Sequence, residues 1–212
     1  GSVLEYCIVE YSRGGIDIAE GTANTVTVSY SLMRHNLWTG LAIHSSSPTI
    51  THNEITESGG HQGIDVLGEG SAPLLSFNVI RHNKVGIAVQ PGTSPIIEYN
   101  SLVDNDMGIR VMESGSAVIQ GNLISAPHGA PNDWSYQGRA IYPASALAGN
   151  ENEVTGITVL NASPRVLGNT VSRCPKGMVL LGYSSPEIRG NTFEGSVDNG
   201  LFFDRSFAGH PS

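Results

Sequence analysis

An asparagine-centred phrase returns along this chain, and a chain built from such repeats has few ways to fold. The phrase reads Ser-Pro-x-Ile-x-x-Asn-x-Ile and closes further on with Gly-Ile-x-Val. Its clearest copy runs from Ser47 and Pro48 through Asn53 and Ile55 to Gly63-Ile64-Asp65-Val66. It returns from Ala72 and Pro73 to Gly86-Ile87-Ala88-Val89, and from Ser94 and Pro95 to Gly108-Ile109-Arg110-Val111. Degenerate copies cover residues 116–124, 163–171 and 185–193. A unit this short cannot bury its own apolar face, so successive units must stack on one another.

The asparagines Asn53, Asn78, Asn100, Asn122, Asn169 and Asn191 stand 25, 22, 22, 47 and 22 residues apart. The long step is either one coil carrying an insertion or two coils, one of them eroded. The same step backward from Asn53 reaches Ser31 and then Cys7. Apolar and polar residues alternate in runs too short for helices, which is a strand period. Ile50 and Ile55, Leu75 and Ile80, and Ile97 and Leu102 flank the asparagine on either side, with Gly-Ile-x-Val as a third short strand. This predicts an all-β, single-stranded parallel β-helix of about eight or nine coils, each about 22–25 residues long. Equivalent residues then stack about 4.8 Å apart along the axis. Asparagine amides that donate to one coil and accept from the next would form an internal ladder. The glycine before the third strand is expected to supply a backbone conformation that other residues resist.

The formal charge of −8, with Lys84 and Lys176 as the only lysines, leaves no basic patch and excludes nucleic acid as a partner. No apolar run is long enough to insert in a membrane. The chain reads as a single domain over 1–212, with a period-breaking insertion near 125–152. Its first coil begins without a polar cap, so it is expected to be a piece of a longer protein. The rest of that protein, or end-to-end contact with another β-helix, would cover its open strand edges. Cys7 and Cys174 fall in the first and second-to-last coils, roughly 25–30 Å apart, where a disulfide reaches only about 7 Å. Both are expected to be free thiols, with Cys7 buried in the ladder.

Stacking turns sequence into surface columns. Four residues after each ladder position come Tyr11, His35, Glu57, His82 and Asp104. Beside them, in the corner before the third strand, lie Trp38, His61 and Lys84, and Asp17 and Asp65 face outward from the third strand. A saccharide would stack on Trp38 while His35, His61, Lys84 and Asp65 bond its hydroxyls. Glu57 and Asp104, two coils and so about 10 Å apart, are at the long end for an inverting carboxylate pair, with His82 as an auxiliary base. The plainer alternative is a solvated edge whose alternating charges neutralise one another. A metal held by His35, Glu57 and His82 lacks the tight local spacing of a metal motif, so none is expected. The insertion brings Trp134, Tyr136 and Arg139, a composition suited to a sugar site. It would equally serve as a lid over the outward strip of Leu74, Ile96 and Val118.

Asn78-Val79-Ile80-Arg81-His82-Asn83-Lys84-Val85-Gly86-Ile87-Ala88-Val89, and the matching run from Asn100 through Asn105 to Val111, resemble a known repeat. It is that of the right-handed parallel β-helix proteins of the pectate-lyase-like superfamily, in its carbohydrate-binding and sugar-hydrolase form. The resemblance covers nearly all the chain except roughly 125–161. It implies right-handed coils, a polysaccharide or glycan partner, and an extracellular, cell-surface or periplasmic location. Members include lyases, hydrolases, epimerases, a copper-handling branch and non-catalytic recruitment domains, so the fold does not choose the activity. Lyase members imply a calcium-holding cluster of acids and a basic residue that abstracts the proton. This chain has no clustered Asp-Asp pair, so no cofactor is expected, calcium being the one that the resemblance leaves open. Three readings follow: a carbohydrate-recognition module of a larger protein; a polysaccharide hydrolase or lyase using Glu57, Asp104 and His82; and a protein-binding scaffold using the apolar strip.

Overall fold

The computed structural model describes residues 1–19, 26–59, 61–113, 115–126 and 154–204. Its strands form three parallel eight-stranded sheets, and each coil contributes one strand to each sheet. In one coil these are Leu74–Ser76, Val79–Arg81 and Val85–Val89. Leu75 pairs with Ile50 and Ile97, Ile80 with Ile55 and Leu102, and Ile87 with Ile64 and Ile109. This is the parallel β-helix that the repeat predicts, with eight coils among the described residues. The middle residue of each three-residue strand in the first two sheets points inward, and Ile50, Ile55, Leu75, Ile80, Ile97 and Leu102 are fully buried. Each such side chain stabilises the stack by about 1.5–3 kcal/mol.

The long asparagine step is one coil with an insertion. The Asn122 amide N–H donates to Asn169 Oδ1 at 2.9 Å, and Leu123 stands in register with Thr170. Met107 pairs with Thr155, so Gly156-Ile157-Thr158-Val159 is the third strand of that coil. Gly138-Arg139-Ala140-Ile141, the other candidate, lies outside the described residues. Ser125 closes the strand Leu123–Ser125, and Ala126 after it is buried.

What bends the chain is not the expected glycine. The residue after most first and second strands takes a left-handed backbone, among them Tyr6, Tyr30, His52, Phe77 and Tyr99 at one corner and Tyr11, His35, Glu57, His82 and Asp104 at the next. All ten have φ between 49° and 57°, a region that costs a side-chain-bearing residue about 1–2 kcal/mol. The glycines at the start of the third strands, of which Gly86 is the second residue of Val85–Val89, lie outside that region and are required for space. A Cβ on Gly86 would come within 2.6 Å of the Gly108 carbonyl oxygen and 2.9 Å of Leu102 Cδ2.

A ladder residue follows each of these ten, buried in every case but Cys7 and Ser12. Asn100 Oδ1 accepts from the Asn78 amide N–H at 2.9 Å, and Asn100 Nδ2 donates to the Leu75 carbonyl at 2.9 Å and to Asn122 Oδ1 at 3.0 Å. Ser31 and Cys7 continue this column as expected, the Cys7 N–H meeting Ser31 Oγ at 3.1 Å. A second ladder runs along the next corner, where Ser58 N–H donates to Asn83 Oδ1 and Asn83 N–H to Asn105 Oδ1, both at 3.0 Å. Counting from Asn53 missed it, because Ser12, Ser58 and Cys174 interrupt its asparagines. Both cysteines are free, but Cys7 is only half-buried, since no coil among the described residues stacks beyond it. Cys174 is the buried one. No helix among the described residues is long and apolar enough to cross a membrane.

Candidate functional site

The column expected from the sequence exists as a corner. Its side chains are thrown outward because each occupies a left-handed position while the following residue turns into the ladder. Within it, partners close pairwise across adjacent coils. His35 Nδ1 lies 2.6 Å from Glu57 Oε2, His82 Nε2 lies 3.7 Å from Asp104 Oδ2, and the Tyr11 ring stacks on His35 at 5.3 Å. The structure therefore brings Glu57 and Asp104 into one column, each beside its own histidine.

Trp38, His61 and Lys84 share the neighbouring column, through the third-sheet register. The Arg13 guanidinium sits 3.9 Å over the Trp38 ring, so one face of the expected stacking platform is already covered. Burial and the Lys84 charge lower the pKa of His61. Asp106, one coil beyond Lys84, is raised by burial, with Lys84 acting against the shift.

Asp65 departs from expectation. It faces outward from the third strand, yet it is buried, and Gln90 Nε2 donates to its carboxylate at 3.0 Å. Burial raises its pKa above the usual carboxylate range, opposed by the Gln90 hydrogen bond and by the charges of Arg110 and His44. Asp17 in the same row stays exposed and pairs with His44 at 3.3 Å. Trp134, Tyr136 and Arg139 lie outside the described residues. Leu74, Ile96 and Val118 stand side by side on the outer face of the first sheet, with Ile96 43% exposed. Among the described residues no cluster of three or more His, Cys, Asp or Glu has metal-binding geometry.

Beside the His35–Glu57 pair, sequence reading overlooked a groove of about 310 Å³ on the second sheet. Arg34, Thr56 and Arg81 occupy one register position on three successive coils, and the short Thr56 between two long arginines makes the depression. Leu32, Glu54, His35 and Glu57 complete the lining. Arg34 Nε is held by Glu10 Oε2 at 2.6 Å, and Arg81 by Glu54 Oε1 at 2.5 and 2.9 Å. The Thr56 hydroxyl, buried beneath them, has no hydrogen-bond partner. The signal was available: Arg81 alternates outward beside Ile80, which the period had placed, and Arg34 holds the same position beside Met33.

Comparison with solved structures finds the same fold. Two mutants of the periplasmic alginate epimerase AlgG, T265N and T265N T268M, match with TM-scores of 0.62 and 0.58 at 18% and 17% identity. Each match covers 92% of this chain and 48% of the epimerase, so the chain spans about half the length of those relatives. An alginate lyase from Paenibacillus sp. str. FPU-7 matches with a TM-score of 0.48 at 19% identity, over 92% of this chain and 72% of the lyase. A comparison with curated protein sequences finds no significant match. Residues 14–155, more than half of the chain, match the family described as right handed beta helix region. The chain therefore belongs to the right-handed β-helix family.

Proposed function

We propose that this chain is a polysaccharide-recognising β-helix, a module of a larger extracellular, cell-surface or periplasmic protein. It takes a glycan along the second corner, from the groove between Arg34 and Arg81 past His35 and Glu57 toward His82 and Asp104. The observation that carries this reading is the groove itself. It is an open depression whose lining combines hydrogen-bond donors and acceptors, as recognition of sugar hydroxyls demands. The polysaccharide-directed activity of the epimerase with the same fold is consistent with it. Isothermal titration of the chain against a panel of soluble neutral and acidic oligosaccharides tests the proposal. Saturable binding that is weakened by Glu57→Gln and Arg81→Gln is expected; no binding to any member overturns it.

A second reading, a polysaccharide-active enzyme, is favoured by Asp65. An acid kept above its usual pKa by burial, near an arginine and a histidine, is suited to donate a proton to a leaving oxygen. On this reading the acid is Asp65 on the third sheet, while Glu57 and Asp104 bind rather than react. Mass spectrometry of polysaccharides incubated with the chain, with and without calcium, discriminates the two. New oligosaccharide ends that vanish in Asp65→Asn but persist in Asp104→Asn would establish the enzyme.

A further inference from the structure

We infer that the groove on the second sheet selects neutral, hydroxyl-rich saccharides over uronate or sulfated ones; the inference rests on the glycan-binding reading above. Both cations in the lining are already engaged: Arg34 with Glu10 at 2.6 Å, Arg81 with Glu54 at 2.5 and 2.9 Å. The remaining polar groups of the lining beside them are the carboxylate of Glu57 and the His35 imidazole, which meet at 2.6 Å. An anionic sugar would accept from the guanidinium N–H groups that these pairs leave open, and would there lie beside the carboxylate that each arginine already holds. That placement gains little from charge, because each guanidinium is already balanced by a carboxylate that also repels the incoming anion. The formal charge of −8 adds a long-range repulsion against a polyanion.

A neutral sugar meets none of these costs. Each of its hydroxyls both donates and accepts, so a pair of adjacent hydroxyls can donate to a carboxylate oxygen of Glu54 or Glu57 while accepting from a guanidinium N–H. The ion pairs stay closed and hold both partners in fixed orientation, which is preorganisation for the ligand. The depression above Thr56, between arginines two coils or about 10 Å apart, is of the length of one to two sugar rings.

Titration of the chain with cellohexaose, xylohexaose, mannohexaose and maltohexaose, set against hexamers of mannuronate, guluronate and galacturonate, tests the inference. At least one neutral hexamer is expected to bind about tenfold more tightly than any uronate, with an affinity that hardly changes between about 50 and 500 mM salt. Glu54→Gln keeps the shape of the lining but leaves Arg81 without its carboxylate. It should narrow or reverse the preference by strengthening uronate binding, with a salt dependence that the parent lacks. Thr56→Trp, which fills the depression, should abolish neutral binding, and Thr56→Ser should preserve it, separating occupancy of the groove from damage to the fold. Uronates that bind the parent as tightly as neutral sugars would overturn the inference while leaving the glycan-binding reading standing. Binding of neither class would overturn that reading, and the inference with it.

Discussion

His35 Nδ1 and Glu57 Oε2 meet at 2.6 Å across two adjacent coils, although 22 residues separate them in the chain. Each is thrown outward by a left-handed backbone, φ 53° and 54°, and each is followed by a buried ladder residue, Asn36 and Ser58. Both side chains are more than a third exposed, so their attraction contributes at most about 1 kcal/mol to stability. Glu57→Gln is therefore expected to leave the urea midpoint nearly unchanged while weakening glycan binding about tenfold. Equal losses in both would make the pair a structural strut.

The asparagine ladder predicts the reverse. Asn100→Ala removes the acceptor of the Asn78 N–H and the donor to the Leu75 carbonyl, both in the buried corner. Two stranded polar groups plus the lost volume should cost about 3 kcal/mol or more, read as a lowered urea midpoint. A loss below about 1 kcal/mol would mean that water takes over the ladder's role.

Two glycines separate crowding from backbone strain. A Cβ at Gly86 would meet the Gly108 carbonyl oxygen, so Gly86→Ala should destabilise by about 2 kcal/mol or more. Gly70 has φ +80° but nothing within 4 Å of its Cβ position, so Gly70→Ala should cost only about 1 kcal/mol, from the backbone alone. Thermal melts of the two variants, with the order reversed, would overturn this assignment.

Asp65 makes a prediction about pH. Burial raises its pKa in the folded chain, so the folded state holds its proton to higher pH than the unfolded state does. The associated stability is fully present below the ordinary carboxylate pKa of about 4 and is lost as pH rises through the raised value. Asp106 is shifted in the same direction and acts likewise. Asp65→Asn should therefore match the parent near pH 3 and exceed it in urea midpoint near pH 7. A variant less stable than the parent near pH 7 would show that Gln90, Arg110 and His44 more than offset the desolvation of the charge.

The thiols should differ in reactivity. Burial pushes the Cys174 pKa up to about 11, and its Sγ lies 3.5 Å from the Ser172 carbonyl. Cys7 is half-buried in the first coil. Iodoacetamide labelling near pH 8, followed by mass spectrometry, should modify Cys7 first and Cys174 only when the chain is unfolded. Simultaneous labelling would mean that the seventh coil opens under native conditions.

The sequence by itself determined the solenoid. Its period fixed which residues stack, and alternation fixed which face inward, so Ile50, Leu75 and Ile97 could be placed in one buried row from spacing alone. The column of Tyr11, His35, Glu57, His82 and Asp104 was legible for the same reason, since stacking converts a fixed offset into a fixed surface position. Only the tertiary structure decided what those positions do. Whether the step from Asn122 to Asn169 holds one coil or two depends on an amide that bonds across the gap. That Gly86 is demanded by crowding depends on the carbonyl of a coil one turn away. Asp65 became a buried acid, and Arg34 and Arg81 became the paired walls of a groove, through neighbours on other coils and through burial. Periodicity records direction along a strand, whereas burial, pairing and pKa depend on side-chain packing between coils, which no spacing encodes.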